Sequence, residues 1–336
     1  MNMTVRISAE AMENEFFRIL SARGFSGEKA RQCADIFTRN SLDGIYSHGV
    51  NRFPRFVEYV EKGLVIPDAE AEPVHAAGAL EQWNGNLGPG PLNARRCTRR
   101  AMELAEQYGM GCVALANTNH WMRGGTYGWE AAKAGYVFIG WTNTIANMPP
   151  WGASESRLGN NPLVIAVPYQ DEAIVLDMAM SQFSFGGLEA AAMNNALLPV
   201  PGGYNRAGEL TNVPREILET HRAVPAGYWK GAGLSLLLDL LAAILSGGQS
   251  TSGISKKADE YGVSQVFVAF DPRKLSNFSA VSQTVQAIIA DYQAAPATDG
   301  HSSIRFPGER VCQTREQNQR EGIPVNRDVW EAILTL

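Results

Sequence analysis

The sequence predicts an α/β fold in which a strand-containing domain is flanked by helical chain ends. Three observations carry the prediction. Apolar residues recur at helical spacing behind serine caps up to Gly63, short apolar strands alternate with helices from Val74, and helical spacing returns after Asp271. At 336 residues the chain exceeds the usual single-domain size, so two domains are expected.

Taken in order, Ser8 can cap a helix with Met12, Phe16, Ile19 and Leu20 on one face, which Gly24 ends. Ser26 repeats the device for a second helix carrying Cys33, Ile36 and Phe37 to Gly44, and a third is expected around Arg55 to Gly63. Val65 to Pro73 reads as an extended connection, since its prolines and short polar residues resist helix. Strands are expected at Cys112–Ala116, Val137–Trp141, Leu163–Val167, Ala173–Met178 and Val263–Phe270. Helices are expected at Asn93–Tyr108, Trp129–Ala134 and Gly231–Leu245. Only Pro168 to Glu172 separates two of the strands, which allows a hairpin and excludes a parallel crossover, so the domain is not a regular βαβ relay. Val281, Val285, Ile288 and Ile289, and then Val329, Ile333 and Leu334 behind Asn326, return to helical spacing. The resulting division is a helical unit at 1–73, an α/β domain at 74–272 and a second helical part at 273–336, with the two helical ends packing together.

Composition excludes several classes. A hydrophobic fraction of 45% with 19% charged residues describes a globular protein, and a net charge of -5 argues against nucleic acid as a partner. Arg95, Arg96, Arg99 and Arg100 read as the wet side of a helix. Cys33, Cys97, Cys112 and Cys312 show no paired metal spacing, so no metal is expected, and no disulfide framework. The opening Met-Asn-Met-Thr-Val-Arg runs into a polar amphipathic helix without the apolar core of a signal peptide, so a cytoplasmic location with reduced thiols is expected. The longest apolar run, Leu234 to Leu245, contains Ser235 and Asp239, falls short of a membrane span and reads as a buried helix, so no membrane partner is expected.

Chemistry concentrates between Gly44 and Phe56. Ser47, His48, Arg52 and Arg55 fall within nine residues between two expected helices. Histidine exchanges protons near neutral pH, and arginine grips a carboxylate or dicarbonyl through two hydrogen bonds. A merely solvated histidine is the plain alternative. Gly109-Met-Gly-Cys-Val-Ala114 has the letters of a dinucleotide fingerprint but follows a helix and precedes a strand, the reverse of what the fingerprint needs. Gly85 to Gly90 precedes a helix with the wrong spacing. Trp229-Lys-Gly-Ala-Gly opens a helix with glycines and Lys230, which suits either a phosphate or close backbone packing. Two further loops leave strand ends, where ligands sit in α/β domains: Asn117 to Gly125, with His120, Trp121 and Arg123, and Thr142 to Gly152, followed by Gly159-Asn-Asn-Pro162. Asp177 interrupts an apolar strand and is either a paired functional carboxylate or a strand-end residue facing water.

In these motifs the chain resembles the malate/L-lactate dehydrogenase type-2 oxidoreductase family. The resemblance rests on Tyr-Ser-His-Gly-Val-Asn-Arg-Phe-Pro-Arg-Phe (46–56), Asn-His-Trp-Met-Arg-Gly-Gly (119–125), Met-Pro-Pro-Trp-Gly-Ala (148–153) and Gly-Tyr-Trp-Lys-Gly (227–231), and it spans nearly the whole chain. It implies a largely antiparallel, non-Rossmann cofactor domain, a helical domain built from both chain ends, and a homodimer with the active site between subunits. It also implies that His48 donates a proton to the substrate carbonyl. Ala173, Ile174, Val175, Leu176, Asp177, Met178 and Ala179, with Trp229, Lys230, Gly308, Glu309 and Arg310, look like the segments that hold the nicotinamide cofactor, NADH or alternatively NADPH. The substrate implied is a small 2-oxo sugar acid such as 2,3-diketo-L-gulonate, with Arg52 on its carboxylate or vicinal carbonyl and Ser47, His120 and Trp121 shaping the pocket. If the third helix begins early, Arg52 and His48 share one face. Within the family the alternatives are a malate, lactate or ureidoglycolate dehydrogenase or a cyclic imino acid reductase. Outside it stands a non-catalytic sugar-acid binding protein.

Overall fold

The structure, a computed structural model, describes residues 4–298 and 303–336, so Met1, Asn2 and Met3 lie outside the described residues. The helical unit opens with a strand rather than a helix: β1 (Thr4–Ile7) precedes α1 (Ala9–Ser21), whose N-cap Ser8 accepts from the Ala11 amide. Ser26 likewise caps α2 (Gly27–Leu42). A single 3-10 turn, Tyr46–His48, leads into α3 (Phe53–Glu61). Phe16 stacks on Phe53 at 3.9 Å between ring centroids, and Phe37 meets Phe53 edge-on at 5.2 Å. These rings anchor the core of the unit.

The second domain follows as β2 (Glu72–Ala77), β3 (Leu80–Asn84), α4 (Gly90–Tyr108), β4 (Met110–Thr118), α5 (Gly125–Lys133), β5 (Val137–Thr142), the short pair β6 (Ala146–Met148) and β7 (Leu158–Gly159), then β8 (Leu163–Tyr169) and β9 (Glu172–Met178). Next come α6 (Phe185–Met193), β10 (Gly203–Tyr204), β11 (Leu210–Thr211), α7 (Pro214–Thr220), α8 (Trp229–Ser246), α9 (Thr251–Ile254) and β12 (Val263–Phe270). Seven strands form one sheet in the order β2-β3-β4-β12-β5-β8-β9. Every adjacent pair in it is antiparallel except β3 and β4, which are parallel across α4. β8 and β9 form the expected hairpin. Gly109 ends α4 in the left-handed conformation, which explains why the fingerprint-like letters there hold no phosphate loop.

The chain closes with α10 (Phe278–Gln293), α11 (Glu309–Glu321), β13 (Ile323–Asn326) and α12 (Arg327–Leu334). β13 pairs antiparallel with β1, and Ile323, Val325 and Ile333 join Phe16, Phe37 and Phe53 in one core. The two ends therefore meet, but α10 does not join them: it lies against β8 and the turn at Pro272–Lys274. The division at 273 is corrected to that extent.

Three other expectations change. Arg95 is not on a wet face: it is 7% exposed and bonds Glu130 and Asp35, joining α4 to α5 and α2. α5 begins at Gly125 rather than Trp129, because the Asp177 carboxylate accepts the Gly125 N–H. α8 is 18 residues long and, by length and composition alone, long and apolar enough to cross a membrane. Nor is it a buried helix. One face, with Ala232, Leu238 and Ala242, packs against the sheet, while Leu237 is 56% and Ile244 69% exposed.

Candidate active site

His48 closes the 3-10 turn, and its Nδ1 lies 3.0 Å from the Ser47 hydroxyl. The backbone carbonyl of His48 accepts from Asn40 Nδ2, which ties the turn to α2. The His120 ring stands face to face with His48, centroids 5.6 Å apart and planes 23° from parallel. His120 Nδ1 accepts the Met122 N–H, so its other ring nitrogen carries the hydrogen. Burial, with the positive charges of Arg52 and Arg123, pushes the His48 pKa down to about 4. Burial, followed by Arg52, His48 and Arg55, pushes His120 well below the ordinary imidazole range. Both rings are neutral near pH 7.

Arg52 is the N-cap of α3, not a member of it, so it and His48 share no helical face. The turn at Gly49 brings them together instead, and Arg52 acts electrostatically on both imidazoles. Arg52 enters no ion pair among the described residues, which leaves its guanidinium available to an anion. Behind it lies a buried cluster not anticipated from sequence: Asp43 bonds Arg123 through one oxygen and Arg315 of α11 through both. Asp43 immediately precedes the Gly44–Phe56 stretch, and its place at the end of an expected helix was the available signal. The Ser47 hydroxyl meets His48 Nδ1 and stays exposed. Trp121 does not line the site: it is 1% exposed and packs on Tyr127 and Phe267 in the core of the sheet domain.

The three segments singled out for the cofactor lie along β9. It is an edge strand, and Val175 donates its N–H to the Pro307 carbonyl at 3.1 Å. Gly308 has φ +93°, and a Cβ there would sit 3.3 Å from the Val175 backbone and 3.4 Å from the Trp129 ring, so glycine is required. Past the end of β9, the Met180 carbonyl accepts the Ala226 N–H just before α8 begins. The amides of Lys230 and Gly231 are already bonded to the Gly227 and Ala226 carbonyls. Attraction for phosphate at α8 thus rests on the exposed Lys230 ammonium and not on free helix amides. Asp177, near the end of β9, accepts the Gly125 N–H and so holds the start of α5. Asn160 and Asn161 are turn chemistry, bonding Thr144, Ser181 and Ser235. A surface groove of about 660 Å³ lies elsewhere, beside Lys29, Arg96 and Arg100, whose charges are paired with Glu70, Glu81 and Glu103.

Residues 7–334 match the malate/L-lactate dehydrogenase family. The 2,3-diketo-L-gulonate reductase of Citrobacter koseri is 44% identical over 333 residues, covering 99% of this chain and all of the relative. The chain belongs to the malate/L-lactate dehydrogenase family. Among solved structures, the malate dehydrogenase of Entamoeba histolytica superposes with a TM-score of 0.93 at 23% identity, covering 98% of this chain and 96% of the other. That of Pyrococcus horikoshii OT3 gives 0.88 at 27%, covering 98% and 93%.

Members of the malate/L-lactate dehydrogenase family are oxidoreductases that use pyridine nucleotides. The residues along β9 fit such a group on two counts. Gly308 lets its segment lie close against the edge of β9, and the buried Trp129 Nε1 beside it has no hydrogen-bond partner among the described residues. The edge of β9 would hold the cofactor with Gly308–Arg310, and Lys230 would meet a phosphate.

Proposed function

We propose that the protein reduces the α-carbonyl of a small 2-oxo sugar acid, converting 2,3-diketo-L-gulonate to 3-keto-L-gulonate. The observation that carries this reading is the full-length similarity to a reductase of that name, with an imidazole under the charge of a guanidinium that enters no ion pair among the described residues. Arg52 binds the substrate carboxylate or its neighbouring carbonyl. His48 gives its proton to the oxygen of the carbonyl being reduced, and the Ser47 hydroxyl holds the ring by Nδ1. The hydride would come from a dihydronicotinamide held along the β9 edge. His120 offers its ring N–H beside the same oxygen.

NADH is the proposed cofactor. The proposed assembly is a homodimer with the active site at the subunit interface, supported by the uncovered apolar stripe of α8. The proposed location is the cytoplasm, which suits four unpaired cysteines.

The experiment is a substrate profile of the wild type and His48→Ala with 2,3-diketo-L-gulonate, malate, lactate and pyruvate, in each case with NADH and NADPH. The expected result is highest kcat/KM for 2,3-diketo-L-gulonate with NADH, and a loss of roughly a hundred- to ten-thousand-fold in His48→Ala. A higher kcat/KM for malate or lactate would overturn the substrate.

A further inference from the structure

Helix α6 lies directly over the catalytic turn. A Cβ placed on Gly186, in its first turn, would come within 2.8 Å of the Ser47 Cβ, so only glycine permits this approach. The face of α6 that touches Ser47 is set by Leu188, which lies about 200° around the helix from Gly186 and is buried with Leu198, Ile217 and Ala223. Positions 189 and 190 share the face of Gly186, one turn along. Glu189 is therefore on the face of α6 that meets Ser47, is exposed, and its side chain makes no hydrogen bond or ion pair among the described residues. Its charge acts on the Arg52 guanidinium, as does that of Glu260. The two carboxylates differ: Glu260 is buried and accepts the Ile145 N–H at 2.9 Å, whereas Glu189 has both oxygens free.

A free carboxylate close enough to act on an arginine polarises a ligand that meets both. The acid end of a substrate is repelled by Glu189 and drawn to Arg52, while hydroxyl groups, which can donate, are drawn to Glu189. We propose that Glu189 accepts hydrogen bonds from the hydroxyl tail of the substrate and so selects polyhydroxylated 2-oxo acids over short ones. This rests on the proposed reduction of a sugar acid at the same site.

Two measurements on the full chain test it, using Glu189→Gln and Glu189→Ala with a thermal melt of each. The first compares kcat/KM for 2,3-diketo-L-gulonate and for 2-oxobutyrate, which has no hydroxyl tail. Both variants should lose roughly ten- to a hundredfold on the sugar acid and keep or gain activity on 2-oxobutyrate. Equal losses on both substrates, or none on either, would overturn the role. The second is calorimetric titration with L-gulonate and with 2-hydroxybutyrate, without cofactor. Weakened L-gulonate binding with unchanged 2-hydroxybutyrate binding supports Glu189 even if the wild type fails to turn over 2,3-diketo-L-gulonate, a failure that would count against the substrate alone. Unchanged L-gulonate affinity overturns the proposal.

Discussion

His48 and His120 stand ring against ring, 5.6 Å between centroids, each with its Nδ1 in contact with a chain neighbour. Holding two imidazoles this close and this buried favours the neutral state of both. For His48, with a pKa near 4, the protonated fraction of the free enzyme falls tenfold per pH unit above that value. In the proposed reduction that minor form is the proton donor. Reductive kcat/KM should therefore fall as pH rises between about 5 and 8, and the reverse oxidation should gain. A substrate carboxylate on Arg52 cancels one of the charges that depress His48, so the pKa seen in kcat should lie above that seen in kcat/KM. Initial rates across the range decide it, and a reductive kcat/KM that rises with pH would sink the assignment. Stability follows the same shift: the contribution of neutral His48 is intact above 6.5 and lost as pH falls toward about 4.

Arg52 has an unpaired fork at the N-terminus of α3. Arg52→Lys keeps the charge and loses bidentate geometry, so kcat/KM for 2,3-diketo-L-gulonate should drop roughly ten- to a hundredfold at unchanged melting temperature. A lowered melting temperature with unchanged kcat/KM would make the residue structural.

Asp43 is the counter-charge for both Arg123 and Arg315, and Asp43 and Arg123 are almost fully buried. Replacing it by Ala leaves two guanidinium groups without that partner. Urea unfolding should show a loss of about 3–5 kcal/mol. A loss below about 1 kcal/mol would mean that water replaces the carboxylate at little cost.

Lys230 is exposed beside Trp229 and enters no ion pair among the described residues. Lys230→Ala should weaken NADH binding by roughly tenfold, as read from nicotinamide fluorescence. Equal affinity in the variant would place the cofactor phosphates elsewhere.

The uncovered side of α8 carries Leu236, Leu237, Leu240, Leu241 and Ile244. An apolar stripe of this kind marks an association surface. Leu237→Glu should convert a dimer to a monomer in light scattering. A wild type already monomeric at micromolar concentration would rule out this interface.

Much of this was legible in the sequence because the signals were local. Ser8, Ser26 and Asn326 cap the helices expected of them, and Val263–Phe270 is a strand with the expected bounds, because capping and strand patterning are decided by near neighbours. Glu-Pro-Val-His-Ala-Ala at 72–77 has no apolar alternation, which hid an exposed edge strand, and β1 is a strand only because β13 lies beside it. Trp121 misled for the opposite reason: its loop carries polar, site-like residues, but the ring turns inward onto Phe267. Asp43 showed only its place at a helix end, and Glu189 showed nothing, because the meaning of both depends on arginines distant in the chain.

The ladder between β1 and β13 sets an order on biosynthesis. Arg6, whose guanidinium bonds the Gly322 carbonyl, leaves the ribosome 316 residues before its partner. Until Ile323, Val325 and Ile333 arrive, the first helices have made their own contacts but lack the side chains that finish their core. The turn Tyr46–His48 sits in this early-made, late-completed unit, so a nascent chain holds His48 long before it can fix it in place. Long-range closure of this kind is slow, and the waiting apolar surface is a natural target for chaperones during translation.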